Sequence, residues 1–78
     1  MVSMKAKTGL LAEYREYLHK IAMSSTLLEM DAYRDDAEST VSLLHTRAMI
    51  TDEEYKHMNG TIAAFVHHQN KKILEMWE

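Results

Sequence analysis

A chain of 78 residues with no cysteine, 12 acidic against 9 basic side chains and a net charge of −3 excludes a disulfide-stapled scaffold and disfavours a phosphate-binding surface. A chain this short buries only about 60–65% of the surface its unfolded form exposes, so its own core is marginal, and self-association is the cheapest way to add apolar burial. Hydrophobic residues make up 46% of the chain. Even so, no apolar run approaches the ~20 residues of a membrane span, and Met1 to Lys7 leads into no apolar block of signal-peptide length; the expectation is a soluble, cytoplasmic protein.

Proline is absent and there are two glycines, so little interrupts helix formation. The fold class expected is all-α: a helical hairpin or three-helix unit in one domain, residues 8–78, assembling as a homodimeric bundle. Residues 1–7 are expected to be flexible. Thr8 or Gly9 then opens a helix over 8–24, in which Leu10, Tyr14, Tyr17, Leu18 and Ile21 recur at helical spacing and Leu28 continues the stripe, while Glu16 and Lys20 form an i,i+4 pair on the other side.

A second stripe follows in Met30, Tyr33, Ala37, Val41, Leu44 and Ala48, rotated by roughly 150° from the first if the helix were continuous. The apolar face therefore changes near Ser24-Ser25-Thr26. Either one long helix meets different neighbours along its length, or the chain breaks there with Thr26 as N-cap and Glu29 closing a capping box. The break is the reading adopted, giving a second helix over 27–47.

The third start is the clearest. Thr51 and Glu54 have capping-box spacing, Asp52 and Glu53 place negative charge in the first turn, and Ile50 can staple onto Tyr55. A helix over 52–76 carries Tyr55, Met58, Ile62, Phe65, Gln69, Ile73 and Met76 as a near-heptad seam, which makes these seven the expected interface residues of a homodimer. Gln69 either pairs with its symmetry mate to fix register or lies at the edge of the stripe and reaches water. Gly60 falls inside this helix, where it costs about 1 kcal/mol relative to alanine and permits either a close helix approach or a kink.

Charge is unevenly placed. Lys5, Lys7, Arg15 and Lys20 outweigh Glu13 and Glu16 in the first 25 residues, whereas Glu29, Asp31, Asp35, Asp36 and Glu38 outweigh Arg34 and Arg47 in the next 25. Such an acidic middle is first of all a solvated helix face, and second a mimic of nucleic acid or a surface for a basic partner. The methionines, among them Met23, Met30, Met49, Met58 and Met76, fill a core or supply an adaptable contact surface.

Chemistry-bearing patterns are few. Glu16-Tyr17-Leu18-His19 and Glu54-Tyr55-Lys56-His57 both carry the i,i+3 carboxylate–imidazole spacing of metal-binding helical bundles. Glu16 and His19 lie opposite the Leu10/Tyr14/Ile21 stripe, however, and His57 lies off the third seam, so neither pair points into a bundle. His67 and His68 are about 100° apart on a helix and do not chelate one ion together; His45 has no evident partner. No nucleophile elbow, phosphate loop or cysteine pair is present. No catalytic residue, metal or cofactor is therefore assigned.

The run Leu43-Leu44-His45-Thr46-Arg47-Ala48-Met49-Ile50-Thr51-Asp52-Glu53-Glu54-Tyr55 resembles the helical hairpin of short C-terminal oligomerisation (SHOCT-like) modules, with Ala48 near the place of their turn glycine. The resemblance extends from Leu43 to Ile62 and implies self-association and nothing further. The function expected is a small non-enzymatic regulator or inhibitor, of a kind that suits phage or plasmid accessory proteins, binding itself and another protein through an apolar helix face. The alternatives are a nucleic-acid-associated regulator that gathers Lys5, Lys7, Arg15 and Lys20 from two chains, and a metal-binding bundle built on the Glu-x-x-His pairs.

Overall fold

A computed structural model describes residues 4–77. They form three helices, α1 (Met4–Met23), α2 (Leu27–Thr46) and α3 (Asp52–Met76), with no strand among the described residues. Every helix packs on the other two. Short connections force α2 back along α1 and α3 back along α2, and bonds from Tyr14 to Met58 and from Gln69 to Ser24 set α1 and α3 parallel. The bundle measures 51 × 20 × 13 Å. No helix among the described residues is long and apolar enough to cross a membrane.

The core is drawn from all three stripes. Tyr14, Leu18 and Ile21 of α1, Met30, Ala37, Val41 and Leu44 of α2, Ile50 of the second turn, and Met58, Ile62 and Ile73 of α3 are buried in one cluster. Leu10, Tyr17, Tyr33 and Tyr55 pack against its edges. Two members of the first two stripes lie outside it. Leu28 is exposed, because the chain breaks after Met23 and the restart at Leu27 resets the helical phase. Ala48 lies beyond the end of α2, in the turn.

The helix ends explain where the elements stop. α1 starts at Met4, a turn ahead of the expected opening at Thr8 and inside the segment expected to be flexible; residues 1–3 lie outside the described residues. Lys5, Ala6 and Lys7 are good helix formers, and Thr8 does not cap: its hydroxyl donates to the Met4 carbonyl at 2.8 Å, as a mid-helix threonine does. The break at Ser24–Thr26 is present. Thr26 Oγ1 accepts from the Glu29 backbone N–H at 3.1 Å, but the return arm from the Glu29 carboxylate is not made, so this is half of a capping box. At Thr51 both arms form, Glu54 N–H to Thr51 Oγ1 at 3.1 Å and Thr51 N–H to Glu54 Oε1 at 2.9 Å. Ile50 is buried behind that cap.

α2 ends in a complete Schellman turn. The Ala48 N–H donates to the His45 carbonyl at 3.0 Å and the Met49 N–H to the Leu44 carbonyl at 2.9 Å. Ala48 takes the left-handed position of that motif with φ of 56°, a conformation glycine adopts without cost and alanine does not. Gly60, by contrast, is ordinary helix. A Cβ built on it meets nothing within 4 Å, so it serves no close approach.

Candidate functional site

Of the seven residues expected to face a second copy, Met58, Ile62, Gln69 and Ile73 are buried within the single chain. The physical reason is the break after Met23: it turns the apolar faces of α1 and α2 toward each other, and the α3 seam closes over both. Tyr55 is half-buried. Phe65 and Met76 remain exposed, at 37% and 62%.

Gln69 follows neither expectation set out for it. It is 6% exposed, and its Nε2 donates to the Ser24 carbonyl at 2.7 Å, closing the C-terminal end of α1 from the side. Ser24 in turn donates its hydroxyl to the Lys20 carbonyl at 2.8 Å. One helical span away, the Tyr14 hydroxyl donates to the Met58 carbonyl at 3.1 Å. Burial raises the Tyr14 pKa above the ordinary tyrosine value, opposed by a hydrogen bond with the Thr61 side chain. No buried side-chain polar atom among the described residues lacks a partner.

The titratable groups are arranged for packing. Glu16 pairs with Lys20 at 3.4 Å, and Glu54 holds the α3 cap, which pulls its pKa below the ordinary glutamate value through the Thr51 backbone N–H first, the Thr51 side chain next and the Lys7 charge more weakly. No group of three or more potential metal ligands gathers among the described residues. His45 does have a partner, which the sequence did not reveal: its Nε2 lies 2.6 Å from Asp52 Oδ1, and its ring stacks on Tyr55 with centroids 4.2 Å apart and planes at 18°. The only advance signal was position, with the last turn of one helix and the first turn of the next facing each other across a tight turn. The cluster clamps α2 to α3.

Lys20 bonds to Glu16 and lies over the Tyr17 and Tyr33 rings at 5.8 and 5.5 Å. At helical spacing Lys5, Lys7, Arg15 and Lys20 are spread around α1 rather than gathered on one face. On α2, Arg34 sits among Asp31, Asp35 and Glu38 at 3.5, 3.7 and 3.6 Å.

Two surfaces stand out. The first is an open groove of about 1080 Å³ between α2 and α3, with Leu43, Ile62, Ala63 and Val66 among its apolar lining and Asp35 and Glu38 on its α2 rim. The second is one end of the bundle, where α1 stops, α2 starts and α3 finishes. Six of the eight large hydrophobic side chains exposed among the described residues belong to it: Met23, Leu27, Leu28, Leu74, Met76 and Trp77.

No family model matches the chain, and no curated protein or solved structure matches it. What the bundle does must therefore be read from its own surfaces.

Proposed function

We propose that this chain is a small non-catalytic binding protein, a regulator or inhibitor that self-associates and docks on another protein through its α2–α3 face. The observation that carries this reading is the groove: an apolar floor of Ile62, Ala63 and Val66 beneath an α2 rim on which Asp35 and Glu38 pair with Arg34. An amphipathic helix lays its apolar face into a groove of this kind. Ser39, Ser42 and Ala63 keep the walls low, so a fourth helix could approach closely. The acidic excess of the middle third of the chain, read from sequence as a solvated face, lies partly on this rim.

The test is capture of partners by the full chain beside the groove-filling variants Ala63→Arg and Ser42→Arg, both at exposed positions. The expected result is a protein held by the wild type and lost by both variants, with their helical content unchanged. Partners retained by both variants would move the docking face elsewhere. Binding to duplex DNA at low salt that falls steeply as salt rises would replace this reading with the nucleic-acid alternative.

A further inference from the structure

We infer that the end of the bundle formed by the C-terminus of α1, the N-terminus of α2 and the last two turns of α3 binds a second copy of this chain. The inference rests on the proposed self-association and locates it, away from the groove assigned to the partner protein.

Three observations carry it. The first is topology. The Gln69–Ser24 bond sets Gln69 level with the end of α1, so residues Asn70 to Trp77 reach about 12 Å further at the helical rise. α3 therefore overhangs the Ser24–Thr26 connection and exposes Leu74 (50%), Met76 (62%) and Trp77 (74%) at the same end of the bundle as Leu27, Leu28 (83%) and Met23 (68%). The second is area. From these exposures the six residues together leave roughly 750 Å² in water around this end, of the order of the ~800 Å² per partner of a standard interface.

The third is charge. Lys71 and Lys72 lie on the overhang with Glu75, Glu29 lies in the first turn of α2, and none of the four takes part in an ion pair among the described residues. The negative dipole end of α3 and the positive dipole end of α2 meet at this same surface. A two-fold axis through it lays each overhang against the α2 N-terminus of the other copy, bringing Lys71 and Lys72 to the partner's Glu29 twice. A surface bearing both halves of an interaction is self-complementary, as an isologous dimer requires. Tryptophan and methionine are the side chains that such contacts favour.

The experiment is sedimentation equilibrium of the full chain with Leu28→Glu, Trp77→Ser and a charge-exchange set. The wild type should be dimeric. Leu28→Glu and Trp77→Ser should each weaken the dimer roughly thirtyfold or more while the circular-dichroism melt of the monomer stays unchanged, because both side chains are exposed in the single chain. Glu29→Lys alone and Lys71→Glu/Lys72→Glu alone should be monomeric, and an equimolar mixture of the two should restore a heterodimer. A wild-type monomer would overturn the self-association reading as a whole. A dimer insensitive to all these changes would overturn this location and leave self-association standing.

Discussion

The side-chain amide of Gln69 donates to the main-chain carbonyl of Ser24 at 2.7 Å, so that the C-terminus of α1 is completed by a residue 45 positions further along the chain. Both partners are buried. Replacing Gln69 with leucine keeps the bulk and orphans the carbonyl, with an expected loss of about 1–3 kcal/mol in urea denaturation. Gln69→Glu should cost more near neutral pH, since a carboxylate would then face a carbonyl oxygen. Protonation restores a donor, so the fold raises the pKa of the introduced carboxyl, and its deficit should shrink as pH falls. A deficit independent of pH would show that the amide only fills space.

Ala48 occupies the left-handed position of the Schellman turn. Ala48→Gly should stabilise by about 0.5–1 kcal/mol, the relief of left-handed strain exceeding the extra entropy of an unfolded glycine. Ala48→Val, branched at Cβ, should destabilise. Thermal melts of the two variants should shift in opposite directions.

Gly9 and Gly60 stand inside helices, and a methyl group added to either Cα would meet no atom within 4 Å. Gly60→Ala and Gly9→Ala should therefore each stabilise by about 0.5–1 kcal/mol, and at well-separated sites the double variant should give their sum. Chemical denaturation of the two single variants and the double variant checks both statements. A loss at Gly60 would reveal a neighbour against its bare face.

Two groups shape the pH profile, with opposite signs. The Glu54 pKa is depressed, so the stability it contributes is present above the ordinary glutamate value and is lost as pH falls through the folded value. Glu54→Gln should flatten the acid limb. The Tyr14 pKa is raised, so its contribution is complete below the ordinary tyrosine value and is lost as pH rises through the folded one. Tyr14→Phe should flatten the alkaline limb, at the cost of the bond to Met58. Denaturation midpoints across the full pH range separate the two effects.

Ile62 and Phe65 share the expected seam, yet Ile62 is 2% exposed and Phe65 37%. Ile62→Ala should cost about 2–5 kcal/mol, whereas Phe65→Ala should cost clearly less because part of its ring is already in water. Equal losses would mean that the bundle places the two rows differently.

Where the sequence carried local chemistry, the fold was legible. Thr51 with Glu54 marked the start of α3 because a cap is a contact between near neighbours, and the change of face near Ser24 to Thr26 marked the break because helical phase is a local property. The early start of α1 was not legible: Lys5, Ala6 and Lys7 offer propensity without a capping signal. Gln69 could not be placed either, because its partner is a backbone atom on another helix. Leu28 reads as core until the phase reset is known. The apolar end was hidden for the same reason, since only the parallel offset of α3 against α1 brings Leu74, Met76 and Trp77 to the same end of the bundle as Leu27 and Leu28. His45 and Asp52 are only seven residues apart, but they meet because the turn between α2 and α3 is tight, which neither residue signals by itself.

The connections of three residues between α1 and α2 and five between α2 and α3 bear on how quickly the chain finds this arrangement. Each closes a hairpin between neighbouring helices at little loop entropy, so most native pairings join segments close in sequence, and search times in the microsecond to millisecond range are expected. The Tyr14–Met58 and Gln69–Ser24 bonds span 44 and 45 residues. With α3 docking last, as the longest closure predicts, substitutions there should mainly accelerate unfolding and leave the folding rate nearly untouched, which a chevron of Gln69→Leu would check.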